Sequence, residues 1–288
     1  MINKSVMIFG TGHYQDSAIA TGVSNIVGNI ILSKGSSGGI LTGFDIDGDV
    51  KVDTAGMDSV SNFTISRCIF RNLFLSSNGF SPTNARNFSI YENVVRGNLY
   101  GANAFGINCS KNIVEGSINN FESAVFDNND FIGLGNCPNL VNMMVGVNTC
   151  NFDNNIFLYT TPGCSGAYFF DTASGNNVFW NNIFTVFFNF PVGTNSGFNN
   201  YVSQPLNTIF INASGNTFQY TDDYRLKSGS PGVYGGNDGF DVGVYGTIDP
   251  FKTASIPHNP HIQHKSIGQM TDQQGKVNIQ IRVAAQDH

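Results

Sequence analysis

An asparagine, one residue of any kind, then a large apolar residue: this phrase recurs along the chain and limits what it can fold into. It reads Asn93-Val94-Val95, Asn112-Ile113-Val114, Asn129-Asp130-Phe131, Asn155-Ile156-Phe157, Asn182-Ile183-Phe184, Asn200-Tyr201-Val202 and Asn216-Thr217-Phe218, and Cys68-Ile69-Phe70 opens the series with Cys in the Asn slot. The spacings are 25, 19, 17, 26, 27, 18 and 16 residues. That is about one coil of a solenoid per repeat, with loops of varying length between coils. A solenoid presents long faces instead of a closed pocket, so function is expected on one face or at an end.

Composition agrees. The chain holds 38 Asn and 33 Gly in 288 residues, both helix-poor types that serve turns and left-handed backbone positions. Apolar residues reach 41% and are spread along the chain, which excludes a disordered polypeptide. The net charge is −6 and no basic run occurs, so nucleic acid is not expected as a partner. No apolar stretch is long enough for a membrane-spanning helix.

Alternation with a period of two marks the strands. In Asn62-Phe63-Thr64-Ile65 and Asn87-Phe88-Ser89-Ile90 it places Phe and Ile on one side. A buried amide needs partners for two donors and one acceptor. Stacking Asn over Asn at a shared corner, about 4.8 Å apart, satisfies all of them. Asn93, Asn112, Asn129, Asn155, Asn182, Asn200 and Asn216 are therefore expected to form a structural ladder. The expected fold is all-β: a right-handed parallel β-helix over 1–250. A linker and a C-terminal β-hairpin appendage follow over 251–288, the stretch 276–283 pairing with 261–267 through a turn at 271–275.

The alternation, the ladder phrase and the variable loops resemble the right-handed parallel β-helix of the pectin-lyase-like superfamily. Leu226-Lys227-Ser228-Gly229-Ser230-Pro231, followed by Gly236 through Gly246, resembles the last coil of its secreted bacterial repeat proteins. The opening Ile2 to His13 resembles an early coil of the same proteins, which normally follows a cap, so an N-terminally truncated start is expected. The resemblance implies a secreted or cell-surface location. It also implies either non-catalytic polysaccharide recognition or surface structure, or a polysaccharide lyase or hydrolase; a self-assembling structural protein is the third reading, since coil ends and an apolar stripe both favour association. The polygalacturonase-type set (Asn-x-Asp, Asp-Asp, Gly-His-Gly, Arg-x-Lys) is absent, and no Arg-Pro-x-x-Arg-like phrase of a pectate lyase occurs. Fold alone does not choose between these activities.

Three constellations stand out. Residues two before each ladder position (Ser66, Tyr91, Ser110, Asp127, Asp153 and Trp180) should line one exposed corner. Asp127 and Asp153 then lie on neighbouring coils with Asp130 close by, where paired carboxylates can bind Ca²⁺ or share a proton. Trp180 and Tyr91 can stack on a sugar ring. The alternative is that Asp simply favours tight turns. Asp45, Asp47 and Asp49 have strand spacing that would set all three on one outward face, a candidate Ca²⁺ site or a solvated acidic face. The middle residues of the phrase, Ile69, Val94, Ile113, Ile156 and Ile183, should form an exposed apolar stripe, covered by a loop, by the hairpin, or by another subunit in a homo-oligomer. The five Cys show no metal spacing, and Cys137–Cys150 or Cys150–Cys164 pairing stays open beside buried free thiols. His258, His261 and His264 are read as solvated linker residues.

Overall fold

The computed structural model describes residues 1–14, 22–53, 59–76, 85–102, 104–133, 142–158, 169–187, 189–213, 216–252 and 261–284, with the backbone alone at 261, 263 and 284. These residues wind into a parallel β-helix with three sheets of nine, eight and six strands. One coil reads Ser89–Tyr91, a corner, Val94–Val95, a second corner, then Leu99–Tyr100. Each of these strands pairs in parallel with its counterparts one coil before and one coil after.

The corner between the nine- and eight-stranded sheets is set by two residues. The residue before each ladder position has positive φ: Arg67, Glu92, Lys111, Asn128, Asn154, Asn181 and Asn199, at 52° to 56°. Asn reaches this left-handed region at low cost, which accounts for the Asn-Asn pairs of the later coils. The ladder residue then turns its amide inward. Asn112 Oδ1 accepts from the backbone N–H and from Nδ2 of Asn93, both at 3.0 Å. The same pair of bonds links Asn112 to Asn129, Asn129 to Asn155, Asn155 to Asn182 and Asn182 to Asn200 at 2.8–3.0 Å. The remaining Nδ2 proton is given to a backbone carbonyl, for example Asn129 to Cys109 O. At the start of the column, the Cys68 N–H donates to Asn93 Oδ1.

Inside the ladder, phenylalanines stack in two columns. Phe126, Phe152 and Phe179 stack with centroids 4.7 Å apart, and Phe131, Phe157 and Phe184 at 4.8 and 4.9 Å. Each such contact adds about 0.5–1.5 kcal/mol beyond area burial. Phe63 and Phe88, Ile65 and Ile90 all face inward as the alternation requires.

Two expectations about the coils need correction. Asn216 is not in the ladder: it is exposed, because the chain has already left the stack after Asn200. Residues 206–251 instead fold back as a strap. It holds one short 3-10 turn (Leu206–Thr208), an antiparallel pair (Phe210–Asn212 with Asp223–Leu226) and a turn-rich tail. The strap lies on the apolar stripe. Ile69, Val94, Ile113, Ile156 and Ile183 are at most 1% exposed and pack with Ile209, Phe210, Phe218, Val242 and Val244. The stripe does point outward, and of the covers expected for it the chain's own strap is the one seen.

The corner asparagines hold that strap. Asn128 Nδ2 donates to Gly243 O (3.0 Å), Asn181 Nδ2 to Gly235 O (2.8 Å), and Asn154 exchanges two bonds with Asn237. Close approach explains the glycines of the closing motif. A Cβ on Gly243 would lie 2.6 Å from both Asp130 Oδ1 and Ile156 Cδ1, and one on Gly246 would strike the Asp241 carbonyl.

Beyond the strap, His261–Thr271 and Val277–Ala284 form the expected antiparallel hairpin, with Gly275 at positive φ in its turn. His264 is exposed; His258 and the side chain of His261 lie outside the described residues. Cys68, Cys109 and Cys150 are free and buried, and burial pushes the thiols of Cys68 and Cys150 up to about 12. Cys137 and Cys164 lie outside the described residues. No helix among those residues is long and apolar enough to cross a membrane.

Candidate functional site

Parallel register decides what the outer face of the nine-stranded sheet displays. Ser66, Tyr91, Ser110, Asp127, Asp153, Trp180 and Phe198 are partners in one unbroken column. Adjacent members are about 4.8 Å apart along the solenoid axis. The sequence alignment on the ladder thus places Asp127, Asp153 and Trp180 on three consecutive coils, with Tyr91 two coils before Asp127. Phe198 belongs to the same column; its signal was its position two before Asn200.

The aromatic end of the column is open. Trp180 and Phe198 are 39% and 47% exposed, and their rings stack at 4.3 Å with 21° between planes. Each ring covers one face of the other, so the platform is two rings deep along the axis and its exposed area is made of their remaining faces and edges. Beside it the two carboxylates are half-buried under the edge of the strap. Asp127 Oδ1 accepts from Asn154 Nδ2 at 3.3 Å. Burial raises the Asp127 carboxyl above its ordinary range; the Asn154 bond and Lys111 oppose that, and Asp238 of the strap adds to it. Burial and then the neighbouring Asp127 charge push Asp153 up to about 6. The column therefore offers a proton-holding acid and a carboxylate side by side, next to an apolar plane.

Asp153 should titrate near 6 by carboxyl-carbon NMR. Asp127→Asn should bring that value down, but not to the ordinary range, because burial is the larger cause. An unchanged Asp153 titration in Asp127→Asn would show that the pair does not interact.

Asp130 does not join this pair. It sits around the corner on the eight-stranded sheet, fully buried among the stripe residues beneath the strap. Its Oδ1 accepts from Val244 N–H at 3.3 Å, and Oδ2 has no partner.

The Asp45–Asp47–Asp49 reading is also corrected. The chain turns between Ile46 and Val50, so the three do not share a strand face. Asp49 is buried and held by Arg71 (Nε 2.8 Å, Nη2 3.1 Å), Asn72 Nδ2 (2.9 Å) and Lys51 Nζ (3.1 Å). These hydrogen bonds outweigh the effect of burial and hold its carboxyl down at about 2. Three positive or amide donors have taken the place a cation would fill. Asp45 and Asp47 instead line a cleft beside Arg71 and Arg96. Among the described residues no group of three or more His, Cys, Asp or Glu is placed to hold a metal ion.

No family model matches the chain, and neither does any curated protein or solved structure. The residues themselves therefore carry the functional reading.

Proposed function

We propose that the protein recognises a polysaccharide on the outer face of its nine-stranded sheet, as a secreted or cell-surface member of the pectin-lyase-like superfamily. The observation that carries this is the stacked, exposed Trp180–Phe198 pair in register with Asp153 and Asp127. Sugar rings present a C–H face that packs on an aromatic plane, and hydroxyls that bond to carboxylates. A column repeating at every coil suits a ligand that itself repeats. The closing Gly-rich motif and the ladder phrase support the superfamily placement.

Affinity electrophoresis through gels containing a panel of neutral and acidic polysaccharides tests the reading. At least one should retard the protein, and Trp180→Ala should cut the retardation at least tenfold while leaving thermal unfolding unchanged, because the side chain is partly exposed. No retardation by any polymer of the panel, or an unaffected Trp180→Ala, would reject it.

A second reading has one observation in its favour. Asp127 and Asp153 are register partners on neighbouring coils, and a retaining glycosidase needs two neighbouring carboxyl groups facing one sugar. Asp153, the protonated partner below pH 6, would be the acid and Asp127 the nucleophile. Release of reducing ends that is lost in both Asp127→Asn and Asp153→Asn would establish it; retention without products leaves recognition alone.

A further inference from the structure

A second constellation lies on the adjacent face. Three residues after each ladder position, the early coils of the eight-stranded sheet carry Arg71, Arg96 and Glu115, with Asp47 at the equivalent place one coil earlier. In the later coils the same column is apolar (Ile132, Leu158) and buried. The charged half is therefore where the column opens. It lines a cleft of about 610 Å³ with Asp45 and Asn25. A second cleft of about 490 Å³ shares Asn25, Asp45 and Arg96 with the first, and adds His13, Tyr14 and Tyr220. Together they make one groove, walled by the strap where Glu115 Oε1 accepts from the Phe218 N–H at 2.7 Å.

The groups in this groove are not equally committed. Arg71 is spent on Asp49. Arg96 is exposed and makes no side-chain hydrogen bond or ion pair among the described residues. The Tyr220 hydroxyl donates to His13 O at 2.8 Å, so its oxygen accepts from His13 Nδ1–H at 2.7 Å. Burial, then Arg96, lowers His13 to about 3, so it is neutral and adds no charge. The Tyr14 ring stacks on Tyr220 at 4.3 Å and 17°. A ligand thus meets an uncommitted guanidinium, the carboxylates Asp45, Asp47 and Glu115, and a stacked tyrosine pair.

Charge narrows the ligand class. An anion would face three carboxylates. A cation would face Arg96, and no metal-holding group is present among the described residues. A neutral polyhydroxylated ring uses donors and acceptors together and packs on an aromatic plane. Each cleft by itself, about 610 and 490 Å³, falls in the range of about 300–1,000 Å³ typical of small-ligand sites. We propose that the Arg96 groove is a second sugar site, distinct from the Trp180 platform, that takes a neutral hydroxyl-rich saccharide unit. This rests on the polysaccharide reading for its substrate class, but on different residues.

The test is calorimetric titration of the full chain with cello-, manno-, xylo- and chitohexaose, and with hexagalacturonate. At least one neutral hexasaccharide should bind, and at least tenfold more tightly than the uronate. Arg96→Ala and Tyr14→Ala should each weaken it tenfold or more, with Arg96→Lys intermediate and thermal unfolding unchanged. Trp180→Ala should leave short neutral ligands bound. The groove proposal is overturned if no neutral hexasaccharide binds at millimolar concentration, if the uronate binds more tightly, or if Arg96→Ala and Tyr14→Ala have no effect. Polymer retardation that depends on Trp180 but not on Arg96 would sink the groove and spare the platform. The converse pattern would do the reverse.

Discussion

Asn129→Ala is expected to lower the unfolding free energy by about 3–6 kcal/mol, a large loss for one buried side chain. The substitution orphans two donors of Asn112, its backbone N–H and one Nδ2 proton, which bond to Asn129 Oδ1 at 2.9 Å. It also removes the donor to Cys109 O. All of these groups are buried, and each buried group left without a partner costs about 1–3 kcal/mol. Asn200→Ala should cost less, because Asn200 is the half-buried last rung and the groups it would leave on Asn182 and Phe179 lie closer to water. Asn216→Ala should cost almost nothing, since that side chain is exposed. Urea denaturation of the three variants gives the order directly. Equal losses at Asn129 and Asn216 would contradict the ladder.

The second large effect runs the other way. Asp130→Leu is expected to stabilise the protein by about 1–4 kcal/mol at pH 7, as replacing buried ionic groups by apolar ones often does. Asp130 occupies a stripe position filled in neighbouring coils by Ile113 and Ile156, under Val242, Gly243 and Val244 of the strap. Burial raises its carboxyl well above the ordinary range, and the single bond from Val244 N–H only partly opposes this. The sign follows from linkage. A carboxyl raised in the folded state stays protonated there while the unfolded chain ionises near pH 4. Stability is therefore complete below pH 4 and falls as pH rises toward the folded value, by up to about 1.4 kcal/mol per pH unit. Asp45, Glu115, Asp127 and Asp153 are raised too and slope the same way, so the diagnostic quantity is the difference between wild type and Asp130→Asn from pH 4 to 7.5. A pH-independent difference would show that Asp130 ionises in place.

The sequence disclosed the coil stack because its periodic element is short and chemically demanding. An inward Asn with two donors and an acceptor has few solutions, and the residue two further on must share its interior. Counting two back from each rung puts Asp127, Asp153 and Trp180 in one column. The same counting carried three forward would have found Arg71, Arg96 and Glu115, whose charges at a common offset are a signal visible in the sequence. What no offset could reveal is long-range closure. Asp49 is neutralised by Arg71 from the next coil, at a corner where strand alternation no longer holds. The stripe is hidden by Val242 and Val244, more than a hundred residues from Ile113, in a Gly-rich tail whose composition reads as loop. Asn216 carries the right local phrase in the wrong tertiary setting, because the phrase encodes a corner only when another corner lies beneath it. The Tyr14–Tyr220 stack joins the opening of the chain to the strap, two hundred residues away, and leaves no local trace.

The amide column has a direction: every bond runs from an earlier rung to the oxygen of the next. Each storey therefore offers its neighbours the same plug and the same socket. Excising a whole storey, or doubling one, rejoins like with like and strands no polar group, whereas a cut part-way through a storey does not. Length along the axis is thus an adjustable dimension of this architecture, and with it the distance over which a repeating ligand can be gripped.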